Sequence, residues 1–178
     1  MQQIKGYMRI GLFTGTFDPF TIGHKSIVDR ALPLFDKLII AVALSNSKNT
    51  SSEIEKRVDD IKSIYEGIDN IEVKSYSDLT IDMAKRENAQ FIVRGVRSVI
   101  DFEYEREQAD VNHLLSGIET ILLFSEPNLS IVSSSMVREL KSFGKDVSDF
   151  LPTKVYCIND SITYDVDGVK LLKITKRL

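Results

Sequence analysis

One loop near the N-terminus combines the residue types that bind phosphate. Between an apolar strand and a helix lie Gly15, Thr16, Thr21, Gly23 and His24. The first N–H groups of a helix have no partner within the helix and attract anions. Glycines allow close backbone approach, and hydroxyl and imidazole groups add hydrogen-bond donors. The loop therefore predicts a phosphate site; the alternative is an ordinary strand-to-helix turn.

Two later segments offer further anion-binding groups. Arg94 and Arg97 follow a short apolar strand, and Gly95 is expected to let the backbone turn tightly between them. Guanidinium groups bind phosphate oxygens in pairs. The run Ser133–Ser135 precedes a predicted helix, so one hydroxyl can cap it while the others contact phosphate. The alternatives are surface salt bridges for the arginines and a simple helix cap for the serines.

The elements that must position these groups alternate between strand and helix patterns. Strands are predicted at Met8–Phe13, Leu38–Leu44, Ile71–Tyr76, Phe91–Val93 and Thr120–Phe124. Helices are predicted from about Gly23, over Ile54–Tyr65, around Leu79–Ala84, over about Val99–Leu115 and from Ser133 to Phe143. This alternation favours an α/β fold with a doubly wound parallel sheet. Its ligand site should lie beyond the carboxyl ends of the strands, where all the suggestive loops fall.

The C-terminal region follows a different pattern. Ile162–Val166 and Val169–Ile174 flank Asp167-Gly168, a favoured two-residue hairpin turn. We predict a single domain over residues 8–160 and a C-terminal extension over residues 161–178, folded as a β-hairpin. Residues 1–7 carry no readable signal.

Composition narrows the function class. The chain has 178 residues and a net charge of −3, which gives no reason to expect a nucleic-acid or membrane partner. Cys157 is the only cysteine, so a reducing compartment is expected. No apolar run is long enough to span a membrane, and no signal-peptide pattern is present. We expect a cytoplasmic protein.

Four motifs occur in the order of a known family. Residues 11–24, G-L-F-T-G-T-F-D-P-F-T-I-G-H, resemble the T-x-F-D-P-x-T-x-G-H signature of the nucleotidylyltransferases. R-G-V-R at residues 94–97, D-F-E-Y-E at 101–105 and V-S-S-S at 132–135 are similar to segments of the bacterial phosphopantetheine adenylyltransferases. The resemblance runs from about Arg9 to Pro152. Val132 replaces the usual isoleucine, and Leu129 replaces a common tryptophan.

The resemblance implies a Rossmann-like nucleotidylyltransferase fold and transfer of the adenylyl group of ATP to 4′-phosphopantetheine, a step of coenzyme A biosynthesis. His24 would be catalytic. The residues implied for ATP binding are Thr16, Phe17, His24, Gly95, Val96, Arg97, Glu105, Leu129, Ser130, Ile131, Val132, Ser133, Ser134 and Ser135. Those implied for the second substrate are Thr16, Lys48, Thr80 and Arg94. Mg²⁺ is expected on the triphosphate with no protein ligand, and a homo-oligomer, specifically a hexamer, is implied.

Two alternatives remain open at this level. One is another small-molecule adenylyl- or cytidylyltransferase, acting on nicotinamide mononucleotide or glycerol phosphate. The other is a non-catalytic nucleotide-binding module. The R-G-x-R motif together with D-F-E-Y-E argues against the first, and the presence of His24 and the serine run argues against the second.

Overall fold

The computed structural model describes residues 8–44, 51–153, 155–158 and 161–164. Seven strands are seen in these ranges: β1 (Ile10–Gly15), β2 (Lys37–Ala43), β3 (Ile71–Tyr76), β4 (Phe91–Val96), β5 (Glu119–Phe124), β6 (Val155–Ile158) and β7 (Ser161–Tyr164). Five α-helices accompany them: α1 (Ile22–Ala31), α2 (Ser51–Ile64), α3 (Thr80–Arg86), α4 (Val99–Ser116) and α5 (Ser134–Ser142). Single 3₁₀ turns lie at Leu32–Leu34, Pro127–Leu129 and Ser148–Phe150.

Strands β1 to β5 form one parallel sheet in the order β3-β2-β1-β4-β5. The chain builds outward from β1 to β3 and then returns to the other side of β1, so the strand order reverses between β1 and β4. In open α/β sheets such a reversal creates a crevice at the carboxyl ends of the two strands. The α/β parallel fold predicted from the sequence is confirmed.

Neighbouring side chains on the central strands point into two separate cores. Phe13 and Ile40 pack with Ile61 of α2 on one face. Leu12 and Ile39 pack with residues of α3 on the other. Residues Leu38 to Val42 of β2 are completely buried, as expected for a strand covered on both faces.

Strand β4 is longer than the apolar pattern predicts. Its pairing with β5 continues through Arg94, Gly95 and Val96, so the three residues expected to begin a loop lie inside the sheet. Gly95 makes no tight turn there. A Cβ atom at Gly95 would lie 3.0 Å from Cγ1 of Ile27, so the glycine makes room for α1 against the strand. Backbone pairing with a neighbouring strand extended β4 beyond its apolar residues.

The described part of the C-terminal region contains a strand pair that the sequence pattern did not predict. Strand β7 pairs antiparallel with the preceding β6, with Cys157 opposite Ile162 and Ile158 opposite Ser161. This pair straddles residue 160, where the sequence placed the start of the extension. The predicted Asp167-Gly168 turn lies outside the described residues, and the domain division remains a prediction.

Candidate active site

A cavity of about 620 Å³ opens at the carboxyl ends of the central strands. Most of the residues implied by the sequence line it: Thr16, Phe17, His24, Thr80, Arg94, Gly95, Arg97, Glu105, Val132, Ser133, Ser134 and Ser135. Four others do not: Val96, Leu129, Ser130 and Ile131. Val96 is buried within the sheet, whereas the Ile131 side chain is 73% exposed. Lys48 lies outside the described residues.

His24 is held at the start of α1 by a reciprocal cap. The Thr21 hydroxyl accepts from the His24 backbone N–H at 3.4 Å, and His24 Nδ1 accepts from the Thr21 backbone N–H at 3.0 Å. Histidine here occupies the third helical position, where a glutamate or glutamine usually completes a capping box. The cap fixes the imidazole at the floor of the cavity.

Burial keeps this imidazole neutral. Desolvation, with smaller contributions from the positive charges of Arg97 and Arg94, lowers the pKa of His24 from 6.5 to about 4. Two aromatic rings supply much of the dry surface: that of Phe17 meets the imidazole edge-on at 5.2 Å between centroids, and that of Phe20 lies at 5.4 Å. At neutral pH the ring therefore acts as a hydrogen-bond donor without bringing a charge.

The loop between β1 and α1 is packed tightly over the sheet. Phe17 has a φ of 46°, and its ring lies 2.8 Å from where a Cβ on Gly15 would be, so only glycine fits beneath it. Arg57 donates to the Thr16 carbonyl at 3.4 Å and pairs with the Asp18 carboxylate at 3.3 Å. These contacts connect the loop to α2, an element that sequence reasoning had not linked to the site.

Arg94 is fixed by the protein on most of its donor edge. Its Nε and Nη2 donate to the two carboxylate oxygens of Glu105 at 2.7 and 2.6 Å. Its Nη1 donates to the carbonyl oxygen of Thr14 and to the Thr14 hydroxyl. These contacts occupy four of the five N–H groups of the side chain. Glu105 is only 7% exposed, and both its carboxylate oxygens accept hydrogen bonds from Arg94.

Arg97 stands nearer the rim of the cavity. Its Nε donates to Asp101 Oδ2 at 2.9 Å, one turn along α4, and its side chain is 39% exposed. Partial exposure leaves this cation less rigidly held than Arg94. Two guanidinium groups thus lie on one wall at different depths.

The serine run begins α5 close to the start of α1. Ser133 caps α5 by accepting from the Met136 N–H at 3.1 Å, and the Ser134 hydroxyl donates to the Pro19 carbonyl at 2.8 Å. Among the described residues, no acceptor meets the backbone N–H groups of Gly23, Ser134 and Ser135. Two helix N-termini with unused N–H donors therefore face the cavity together, as an anion site requires.

Sequence reasoning assigned Thr80 to the second substrate but missed the other polar residues at the far end of the cavity. Tyr76 and Thr80 share a hydrogen bond of 3.0 Å there, and the amide side chains of Gln108 and Asn112 line the opposite wall on α4. Taken alone, the polar stripe containing Glu105 and Gln108 is typical of a solvated helix face. The sequence signal that could have identified Gln108 and Asn112 is their helical spacing from Glu105.

The described residues contain neither a metal-binding cluster nor a membrane-spanning helix. No group of three or more His, Cys, Asp or Glu side chains there lies close enough to hold a metal ion. None of the helices described is both long and apolar enough to cross a bilayer.

Comparison with known proteins identifies the family. Residues 12–140 match the Cytidylyltransferase-like family. A phosphopantetheine adenylyltransferase from Bacteroides thetaiotaomicron is 55% identical over 145 residues, covering 82% of this chain and 96% of the relative. The chain belongs to the phosphopantetheine adenylyltransferase family. Another member, from Clostridium perfringens, is 40% identical over 83% of this chain and 91% of its own length.

Solved structures extend the likeness to the fold. A putative nicotinate-nucleotide adenylyltransferase from Vibrio parahaemolyticus has a TM-score of 0.54 at 20% identity, over 82% of this chain and 94% of that one. A bifunctional NMN adenylyltransferase/ADP ribose pyrophosphatase from Francisella tularensis has a TM-score of 0.62 at 16% identity, over 82% and 45% of the two chains. At such identities the likeness concerns the fold alone. The predicted resemblance to the phosphopantetheine adenylyltransferases is confirmed, and the protein is a nucleotidyltransferase.

Proposed function

We propose that this protein transfers the adenylyl group of ATP to 4′-phosphopantetheine, releasing pyrophosphate and forming dephospho-coenzyme A. An oxygen of the phosphopantetheine phosphate bonds to the α-phosphorus, and the bond from that phosphorus to the β-phosphate bridging oxygen breaks. The observation that carries the proposal is the meeting of the His24 ring with the N-termini of α1 and α5 in one cavity of a chain from this family.

The N-termini of α1 and α5 are suited to bind the triphosphate of ATP. Unpaired N–H groups of Gly23, Ser134 and Ser135 offer donors to phosphate oxygens, and Arg97 adds a positive charge at the rim. Side chains of Thr16 and Phe17 close the cavity from the β1–α1 loop. The remaining ATP contacts predicted from the family, at Val96 and residues 129–131, stay predictions.

His24 is suited to donate a hydrogen bond to the reacting α-phosphate. Its neutral ring can donate one N–H to a non-bridging oxygen of the α-phosphate, where charge grows as the phosphorus becomes five-coordinate. No general base is needed, because a phosphate monoester with a second pKa near ~6 is already largely dianionic at neutral pH. The protein's contribution is then positioning and electrostatic stabilisation.

The far end of the cavity suits the other substrate. Arg94 lines the cavity together with residues of α3 and α4, and one of its N–H groups is left for a phosphate oxygen. On α3 and α4, Thr80, Gln108 and Asn112 offer polar groups of the kind that pair with the amides of a pantetheine arm. Exposed Leu79 supplies apolar surface beside them.

Three further features belong to the proposal. ATP would arrive as its Mg²⁺ complex, since this ion prefers phosphate oxygens and retains several waters. A homo-oligomer, a hexamer by family resemblance, would cover the apolar side chains of Ile100, Val111 and Leu114 on α4, which are 82%, 50% and 84% exposed. A cytoplasmic location is consistent with a single cysteine.

The decisive experiment measures pyrophosphate release from ATP with three acceptors: 4′-phosphopantetheine, nicotinamide mononucleotide and glycerol phosphate. Release with the first alone supports the proposal. Release with either of the others at a higher kcat/KM would replace it, and ATP binding without release from any of them would indicate a non-catalytic module. Native mass measurement of the same preparation tests the hexamer.

A further inference from the structure

A neutral histidine can donate from only one ring nitrogen. The proposed role of His24 requires its proton on the nitrogen that faces the cavity, because a lone pair there would repel a phosphate oxygen. Burial sets the charge of the ring but does not choose between its two tautomers. Some neighbouring group must make that choice.

Thr21 contacts the nitrogen on the opposite side of the ring. Its backbone N–H lies 3.0 Å from His24 Nδ1, and its hydroxyl oxygen lies 3.1 Å from the same atom. A backbone N–H can only donate, so this contact favours Nδ1 as the acceptor and the ring proton on Nε2, and a donating hydroxyl adds to the same preference. Among the described residues, no polar partner is seen for Nε2. The hydroxyl can add a second donor to Nδ1 while its lone pairs accept from the His24 backbone N–H.

The surroundings make the alternative arrangement unfavourable. Thr21 is 1% exposed, so turning the ring over would leave its N–H buried without an acceptor. The rings of Phe17 and Phe20 border the imidazole and offer no acceptor to replace the lost partner. Both contacts to Nδ1 therefore favour the His24 tautomer that carries its proton on Nε2.

We propose that Thr21 is a positioning residue, whose backbone N–H and hydroxyl hold His24 in the Nε2–H tautomer so that its donor faces the reacting phosphate. This inference rests on the proposed adenylyl transfer and deepens it. A simple helix cap would also explain the hydroxyl contact to the His24 N–H, but it would not require the histidine ring to receive donors from Thr21. The two roles differ in what the ring should do when the hydroxyl is removed.

The test compares two variants of the full chain. Thr21→Val removes the hydroxyl and keeps the branched shape and the backbone N–H, whereas Thr21→Ser keeps the hydroxyl. Long-range ¹H–¹⁵N spectra of the free protein report which nitrogen is protonated. We expect the Nε2–H pattern in wild type and Thr21→Ser, and a shift toward a mixture of tautomers in Thr21→Val. In the adenylyl-transfer assay, Thr21→Val should lower kcat on the order of 5–10-fold, the effect of one hydrogen bond, with little change in the KM for ATP.

A matched control separates positioning from stability. Ile61→Val removes a buried methyl group from α2, outside the cavity, and is expected to lower the melting temperature without changing the ring spectrum or kcat. Unchanged ring shifts or unchanged kcat in Thr21→Val would overturn the proposal, as would a wild-type ring protonated on Nδ1. Wild-type protein with the Nε2–H pattern but no adenylyl transfer would instead overturn the proposed function and leave the tautomer assignment standing.

Discussion

Because the folded protein keeps His24 neutral, its stability should fall as the pH is lowered from 7 to 5. The pKa of His24 is about 4 in the folded chain, against 6.5 when it is solvated. Below pH 6.5 the unfolded chain binds a proton that the folded chain refuses, so protonation favours unfolding. The loss begins near pH 6.5 and is complete once the pH passes below the folded value.

The two pKa values give the size of the effect. Proton linkage between the unfolded pKa of 6.5 and the folded pKa of about 4 predicts that the free energy of unfolding falls by about 2 kcal/mol at pH 5. At lower pH the loss reaches a limit of about 3 kcal/mol. Carboxylates contribute in a separate window. Hydrogen bonds from Arg9 and Arg86 lower the pKa of Asp36 and Asp78, so these groups lose their stabilising contribution only below about pH 4.

Urea unfolding at pH 7 and pH 5, at one protein concentration, measures the difference. In His24→Gln the side chain cannot be protonated, and glutamine at this position still suits the capping box. We expect wild type to lose about 2 kcal/mol more than His24→Gln over this interval. His113→Gln, which changes the other, exposed histidine, is the control and should keep the wild-type loss. Equal losses in wild type and His24→Gln would refute the assignment of a neutral, desolvated ring.

Three further outcomes are expected. His24→Ala should lower kcat on the order of 10²–10³-fold, as loss of an oxyanion donor does, with a smaller change in ATP affinity; a normal single-turnover rate in a folded, ATP-binding variant would contradict this. Arg94→Ala should weaken binding of 4′-phosphopantetheine by on the order of 2–3 kcal/mol and that of ATP much less, as calorimetry would measure. Because Arg94→Ala also strands the buried Glu105, the comparison includes Arg94→Ala with Glu105→Gln, and equal weakening of both ligands would rule out the assignment. Deleting residues 161–178 should preserve turnover per folded site. The reason is that the Bacteroides relative aligns over 96% of its own length with only 145 residues of this chain, so almost all of that relative is matched without the whole chain. A deletion variant that assembles but cannot react would place the tail in the site.

Local pattern was enough to predict the parallel sheet and the loops that carry the chemistry. The uninterrupted apolar run of β2 and the strand at Ile71–Tyr76 lie where periodicity placed them. Ser133 caps α5, and Gly144 follows that helix with a φ of 68°, as the residue types indicated. These features depend on neighbouring residues in the chain, whose preferences survive folding. Motif order then identified the family.

Tertiary structure decided how the charged groups of the site are used. Arg94 and Thr14 are 80 residues apart, and only adjacent pairing of β1 with β4 brings the guanidinium to that carbonyl oxygen. The family resemblance assigns Glu105 to the nucleotide, which stays a prediction, and in the folded chain both its carboxylate oxygens accept from Arg94. Neither partner choice is encoded by sequence spacing, because each depends on which strands and helices become neighbours.

His24 shows most clearly which properties of the site come from the sequence and which come from the folded structure. Its residue type and its place at the end of the T-x-G-H signature marked it in the sequence as a donor to phosphate. Its charge state was open at that level, since a helix start disfavours an imidazolium while bound phosphates favour one. The folded chain makes the ring neutral by burying it, and Thr21 leaves the proton on Nε2. Sequence selects the chemical group, whereas desolvation and hydrogen-bond partners, which exist only after folding, set its protonation and direction.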